Sequence, residues 1–336
     1  MKQLLLGAEA IAQAALDGGI SGVYAYPGTP STEITEFIQK SPQSTKTRVR
    51  SSWSANEKTA YESALGMSYA GKRSLVCMKH VGLNVAADAF INSSITGVNG
   101  GLVIVVADDP SMHSSQNEQD SRVYGKFAMI PVLEPSNQQE AYDMTRYGFD
   151  LSEKMELPVL LRIPTRLSHS RSVVIRQNPR EQNDLNPSPI DGKWILLPAN
   201  ARKNYQGLLK KQETLIALSE KSRFNRVIEG IGSSAVIAFG IGFNYVMEVI
   251  DAFRLNTPVL KISQYPMPKQ TIREFCDRYS EILIVEEGYP VLEELLKGYL
   301  GNKKFRGRLD GILPRTGELS PNVIAKALGV KSSSIQ

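Results

Sequence analysis

The sequence predicts an α/β protein in two parts, a doubly wound parallel sheet followed by a smaller α/β unit. Three observations carry that expectation. Short β-rich runs alternate with longer helical patterns over roughly the first 165 residues, as in a parallel sheet with crossover helices. One run, GLVIVVAD at 101–108, is almost wholly β-branched or leucine, as expected of a parallel strand buried on both faces. The alternation then breaks down between about 166 and 225 and resumes beyond it.

In order along the chain, MKQLLLGAEAIAQAAL sets Glu9 and Gln13 into an apolar run at helical spacing, which predicts a buried amphipathic helix. No small-residue cleavage site closes the run, so a signal peptide is not indicated and a cytoplasmic protein is expected. Strands are predicted at 22–26, 48–53, 73–79, 101–108 and 157–164, with helices near 31–40, 55–70, 83–96 and 137–154. QNPREQNDLNPSPIDG (177–192) reads as an irregular linker, and KNYQGLLKKQETLIALSEKSRFN (203–225) as a charged packing helix. In the second unit, strands are expected at 233–240, 257–263 and 280–287, and helices near 243–254, 269–278 and 290–300. LSPNVIAKALG closes it as a short helix with a Ser-Pro start and a Gly stop. The domain boundaries that follow are 1–178, a linker and packing helix at 179–225, and 226–330.

Composition narrows the functional classes. At 336 residues, 42% apolar and 22% charged, the chain has the make-up of a soluble globular protein. No apolar stretch approaches the roughly 20 residues of a membrane helix. Cys77 and Cys276 are far apart, and His80, His113 and His169 are the only histidines, so neither a disulfide framework nor a zinc or iron–sulfur site is expected. A net charge of +5 is mildly basic. Lysine and arginine outnumber acids by about two to one between Arg171 and Arg226, without the aromatics of a nucleic-acid surface. A solvated linker or a docking surface for an acidic partner fits that stretch better than nucleic acid does.

The unusual residues gather where strands of the first domain end. YPGTPST (26–32), WSANEK (53–58), MKHVGLNVAAD (78–88) and ADDPSMHSSQNEQDSR (107–122) follow four successive strands, and ligand crevices form at such carboxyl ends. Each has an ordinary alternative. Ser54-Ala55-Asn56-Glu57 matches a capping box, Asp88 suits a cap or salt bridge, Asp108-Asp109-Pro110 suits a strand end, and Arg122 a surface charge. FGIGFN (239–244) lacks the third glycine and the acidic residue of a dinucleotide fingerprint, and reads as a tight turn.

Taken together, YPGTPS, WSANEK, MKHVGLNVAAD and VIVVADDPSMHSSQNEQDSR, extended by GKFAMIPVLEPSNQQEA (125–141), resemble the pyrimidine-binding domain of the indolepyruvate ferredoxin oxidoreductase alpha-subunit family. ISQYPMP (262–268) and ILIVEEGYP (282–290) are similar to the transketolase-C-terminal-like domain that follows there, so the resemblance runs over essentially the whole chain. It implies thiamine diphosphate held between a pyrimidine-binding domain and a diphosphate-binding domain. It implies oxidative decarboxylation of a 2-oxoacid, with electrons passing through iron–sulfur clusters to ferredoxin and coenzyme A taking the acyl group. Glu57 matches the glutamate that hydrogen-bonds the aminopyrimidine ring and favours its imino tautomer. His80, Gly82 and Asn84 fall in a loop along the cofactor, Thr29 matches a threonine near the substrate carboxylate, and His113 and Arg122 are carboxylate-binding candidates.

GDG, the start of the family's magnesium motif, occurs nowhere in the chain, nor does CPGC or a cysteine cluster. The diphosphate site, magnesium and iron–sulfur clusters are therefore expected on partner parts: a separate diphosphate-binding polypeptide and a beta subunit in a homo- or hetero-oligomer. The ending SSSIQ suits a split gene as well as a truncated chain. The alternative is a non-catalytic scaffold or regulatory module derived from the same family.

Overall fold

A computed structural model describes residues 1–187, 193–299, 304–314 and 316–330. The chain divides into two compact units, Met1–Asp109 with Ser121–Leu215, and Pro110–Asp120 with residues from Ile216 onward.

The first unit contains strands β1 (Lys2–Leu6), β2 (Gly22–Ala25), β3 (Arg50–Trp53), β4 (Ser74–Lys79), β5 (Leu102–Asp108), β6 (Val132–Leu133), β7 (Val159–Pro164) and β8 (Arg171–Ile175). Its helices are α1 (Gly7–Asp17), α2 (Thr32–Lys40), α3 (Pro42–Lys46), α4 (Glu57–Tyr69), α5 (His80–Thr96), α6 (Ser121–Ala128), α7 (Gln138–Met155), α8 (Thr165–His169) and most of α9 (Pro198–Glu220). Six strands make one parallel sheet in the order β6-β7-β5-β4-β2-β3. α1 packs on α2 and α7, whereas α4 packs on α5, giving the helix layers of a doubly wound sheet. The middle strand β5 is buried along its whole length, as its apolar run predicts.

The amino terminus departs from expectation. Residues 2–6 form a strand, not the start of a helix, and pair antiparallel with β8 from Lys2↔Ile175 to Leu6↔Arg171. Pairing imposes a period of two: Leu4 is 62% exposed and Leu5 is 1% exposed. The helix begins only at Gly7, where the Glu9 carboxylate accepts the Leu6 amide at 2.8 Å.

The expected linker is also more ordered in its bonding than its composition suggests. Arg180 N–H donates to the Asp17 carbonyl at 2.9 Å, Gln182 Nε2 to the Ile20 carbonyl at 2.9 Å, and Asn186 N–H to the Ala70 carbonyl at 3.0 Å. Gly19 (φ +73°) and Gly71 (φ +88°) lie beneath this strap, and a Cβ would stand 2.4 Å from the Glu181 carbonyl oxygen or 2.7 Å from that of Asn186. Residues 188–192 of the predicted linker lie outside the described residues. Beneath the strap, the buried Asp17 carboxylate accepts from Arg176 Nη2 at 2.7 Å, Tyr142 Oη at 2.7 Å and the amides of Gln13 and Gln43, both at 3.1 Å. Burial, with Asp17 alongside, pushes the Tyr142 phenol up to about 12.

The second unit contains β9 (Arg226–Ile228), β10 (Ser234–Phe239), β11 (Val259–Ile262), β12 (Gln264–Tyr265), β13 (Glu281–Val285) and β14 (Lys304–Arg306). Its helices are α10 (Gly242–Phe253), α11 (Lys269–Asp277), α12 (Val291–Tyr299) and α13 (Pro321–Ala327). The sheet order is β14-β13-β10-β11-β9, parallel except for β9. After β13, buried Glu286 accepts the amides of Leu292 and Glu293, and buried Glu293 accepts those of Arg308 and Leu309. α13 starts as the Ser-Pro signal predicts, with Ser320 Oγ accepting the Val323 amide at 3.4 Å.

Arg162 on β7 is fully buried and joins the ends of three strands. Its Nε donates to Asp108 Oδ2 at 2.6 Å, and its Nη1 donates to Glu134 just beyond β6. Asp108 Oδ2 also accepts the Ser121 amide at 3.1 Å at the start of α6. Replacing one member of such a cluster leaves the others charged in a dry interior. Arg162→Met is expected to destabilise the first unit by about 3–5 kcal/mol, whereas Lys40→Gln, which removes an exposed i,i+4 pair, changes stability by less than about 0.5 kcal/mol. Urea unfolding of the two variants checks this; equal midpoints would overturn it.

Candidate functional site

Parallel topology brings the polar loops to one edge. β3, β2, β4 and β5 are consecutive or adjacent in the sheet, so residues 26–31, 54–57 and 79–84 all follow carboxyl strand ends. The fourth loop differs: Pro110–Asp120 belongs to the second unit. There the Tyr289 amide donates to Asp120 Oδ2 at 3.2 Å, and the Tyr289 hydroxyl to the Glu118 carbonyl at 2.6 Å.

Glu57 is the first residue of α4, not the third, so the Ser54 capping box does not form. Asn56 is the cap, and its Oδ1 accepts the Thr59 amide at 2.9 Å. An asparagine acceptor at this position satisfies one of the unpaired first-turn donors and needs no glutamate to reach back. The Glu57 carboxylate is thereby released from capping. It lies half-buried against Gly82 in the first turn of α5: a Cβ there would stand 2.5 Å from Glu57 Oε1 and 2.6 Å from its Cγ. Packing of α4 on α5 sets this approach, and glycine at 82 is what permits it.

Around that pair, His80 is buried at the start of α5, and Asn84 Oδ1 accepts the Tyr124 hydroxyl at 2.6 Å. The stem of Lys79 runs beside Gly28, where a Cβ would stand 3.4 Å from its Cδ. Thr29 is exposed after β2, and its peptide bond to Pro30 is cis. Gly28 is held by its own loop: its amide donates to Thr32 Oγ1 at 2.8 Å, and its carbonyl accepts Ser31 Oγ at 2.7 Å. Ser168 Oγ donates to the Pro30 carbonyl at 2.8 Å.

The two carboxylate-binding candidates are placed differently. Arg122 is 4% exposed, with Nη1 4.0 Å from Glu134 Oε2, on the carboxylate whose other oxygen accepts from Arg162. His113 lies in the second unit, half-exposed, with Nε2 3.2 Å from Glu318 Oε2. The sequence reading missed Arg162 and Glu134, which brace this edge from below. The available signal was the arginine in LPVLLRIP, a charge within an otherwise apolar strand.

The chemistry of the edge fits an aminopyrimidine. A carboxylate not used as a cap stands over a backbone cradle that any Cβ would fill, and two helix amino termini open onto it. Among the described residues, no group of three or more His, Cys, Asp or Glu side chains is arranged to hold a metal ion, and no helix is long and apolar enough to cross a membrane.

The sequence signature described as "Pyruvate flavodoxin/ferredoxin oxidoreductase, thiamine diP-bdg" matches residues 13–194. Among curated relatives, the indolepyruvate oxidoreductase subunit IorA of Archaeoglobus fulgidus is 42% identical over 345 aligned residues, covering 99% of this chain and 55% of that protein. The chain thus spans about half the length of the curated relatives it matches. Among solved structures, the 2-oxoglutarate:ferredoxin oxidoreductase of Magnetococcus marinus, with 2-oxoglutarate, coenzyme A and succinyl-CoA bound, aligns with a TM-score of 0.75 at 16% identity over 98% of this chain and 65% of that one. A split-gene transketolase, described as an inactive beta4 tetramer, aligns with a TM-score of 0.59 at 13% identity over 97% of this chain and 94% of that one. At these identities the two structures bear on the fold alone, and both agree with an α/β pyrimidine-type unit followed by a second α/β unit.

The cap assignment has a measurable consequence. Asn56→Ala is expected to lower stability by about 1 kcal/mol, while Ser54→Ala changes it by less than about 0.5 kcal/mol. Thermal melts of the two variants separate the possibilities; the reverse order would restore the capping box and tie Glu57 to it.

Proposed function

Because the chain belongs to the pyruvate flavodoxin/ferredoxin oxidoreductase family through its thiamine diphosphate-binding domain, we propose that it is the pyrimidine-side part of an oxidoreductase acting on 2-oxoacids. Indolepyruvate or a related arylpyruvate is the substrate in this reading, which the names of the most similar relatives support. The observation that carries it is Glu57, a half-buried carboxylate freed from capping and set against the Gly82 backbone.

Thiamine diphosphate, when bound, supplies the electron sink for loss of carbon dioxide from a 2-oxoacid. This chain's own contribution is position and protonation. With the cofactor bound, the Glu57 carboxylate would hydrogen-bond a ring nitrogen of the aminopyrimidine and hold a proton there. Gly82 keeps its backbone low enough for that carboxylate to sit where it does. His80 and Asn84 line the ring's approach, Asn84 being fixed by Tyr124. Thr29, exposed on its loop, offers a hydroxyl to the oxoacid carboxylate. Arg122, near Glu134, and His113, beside Glu318, remain candidates for the oxoacid carboxylate.

The diphosphate site, magnesium and iron–sulfur clusters are assigned to partner parts, with a beta subunit and ferredoxin completing the electron path. Localisation in the cytoplasm accords with ferredoxin as electron acceptor.

In a complex reconstituted with its partners, Glu57→Gln is expected to lower 2-oxoacid turnover by about 100-fold or more and leave assembly intact. Near-normal turnover would remove Glu57 from its role, and a wild-type complex with no turnover would favour a scaffold or regulatory module. For the purified chain alone, calorimetry is expected to show weak or undetectable binding of thiamine diphosphate; micromolar affinity would contradict the division of the site.

A further inference from the structure

A cavity of about 360 Å³ lies wholly in the first unit, at the ends of helices α5 and α7. Its floor is the last turn of α5 from Ser94 to Gly97 together with Glu156 and Leu157 after α7, and its wall is the α9 face carrying Lys203, Asn204, Gly207, Leu208 and Lys211. α5 begins at the carboxyl edge of the sheet, where Glu57 and Gly82 lie, and this cavity is at its other end. It shares no residue with the thiamine diphosphate edge.

The lining is of two kinds. Ile95, Leu157 and Leu208 give it an apolar body, and Lys193, Lys203 and Lys211 give it three ammonium groups. Their charge has to be weighed against what is already there. Glu156 supplies one negative charge, 3.2 Å from Lys193 Nζ and 3.8 Å from Lys211 Nζ. The carbonyl ends of α5 and α7 add about half a negative charge each. Three cations therefore exceed the fixed negative charge by about one. Lys211 reflects the crowding: desolvation lowers its pKa, and Lys193 lowers it further against the pull of Glu156.

Glycine at 207 keeps the cavity open. It sits in the interior of α9, where glycine costs about 1 kcal/mol relative to alanine. A Cβ at this position would meet nothing within 4 Å. Neither a turn nor close packing calls for a glycine here, and its missing side chain leaves room beside Leu208.

We propose that this cavity binds a small organic monoanion with an apolar body, an aryl or alkyl carboxylate or its sulfonate equivalent, at a site separate from the cofactor edge. The apolar side chains of Ile95, Leu157 and Leu208 take the body, and the lysines take the head group. The volume lies within the range of small-molecule sites.

Titration of the purified chain with 1-anilinonaphthalene-8-sulfonate, followed by its fluorescence, tests the assignment. One site is expected. Gly207→Leu, which fills the cavity from a helix position with free space around it, is expected to weaken binding at least tenfold without lowering the melting temperature. Lys203→Gln is expected to weaken it severalfold, with the loss reduced at high salt. Asp143→Asn, remote from the cavity, should leave it unchanged. If Gly207→Leu binds the probe as tightly as the unaltered chain, the cavity is not the site and the proposal fails. If benzoate and hexanoate fail to displace the probe while inorganic phosphate does, the ligand class is wrong. Glu57→Gln should not change these titrations, so failure here is distinguishable from failure of the proposed function.

Discussion

A guanidinium with no access to water organises the carboxyl edge of the larger sheet. Arg162 is held by Asp108 at the end of β5 and by Glu134 beyond β6, and Asp108 in turn takes the first amide of α6. Three strand ends and one helix start thus share one charge cluster. Desolvating these groups is costly, and their attraction returns that cost only if the geometry is kept. The same cost removes alternatives. A shift of β7 by one residue would place Arg162 on the opposite face and leave two buried carboxylates unmatched. The loop that carries Thr29 and the helix starts that carry Glu57 and Gly82 follow neighbouring strands of this sheet, so their spacing inherits that fixed register.

The proposed site is built from ordinary local rules. Asn56 caps α4, which leaves Glu57 at the first helical position with its carboxylate uncommitted. α4 packs on α5, and glycine at 82 lets the carboxylate settle on the backbone. A change at any of the three would move the acid without touching it. That distribution is typical of sites in which the reacting group is placed by rigid elements and not by its own contacts.

Much of this could be read from the sequence, and the failures have physical reasons. The parallel strands were visible because burial on both faces forces continuous apolar runs, as at 101–108 and 157–164. β1 was mistaken for helix because KQLLL has no clear period over five residues, and only its pairing with a distant β8 decides between the two. β6, β9 and β14, of two or three residues each, carry too little pattern to register. Glu57 was recognisable from SANEK, yet the helix began two residues later than a capping box requires. Spacing pointed to Ser54 as the cap, and the structure puts Asn56 there. The fourth loop follows β5 as its position in the sequence predicts, and its bonds from Tyr289 to Asp120 and Glu118 join residues 169 and 171 positions apart, which no local pattern shows. Arg122 looked like a surface charge but is buried, and Glu134, near its guanidinium, is twelve residues on, beyond the reach of local pattern.

The strap over Gly19 and Gly71 bears on how the chain is made. Residues 180–186 cover backbone carbonyls of Asp17, Ile20 and Ala70 that were synthesised more than a hundred residues earlier. Until the strap emerges from the ribosome, those groups lack its donors, although Arg146 can reach the Asp17 carbonyl, and the Asp17 carboxylate lacks Arg176. Domains commonly close in the order of synthesis, but this one must wait for its own tail, so its early sheet stays open longer than its length alone requires. A nascent chain stalled near residue 165 holds every strand of the main sheet in this unit and still lacks the piece that seals it.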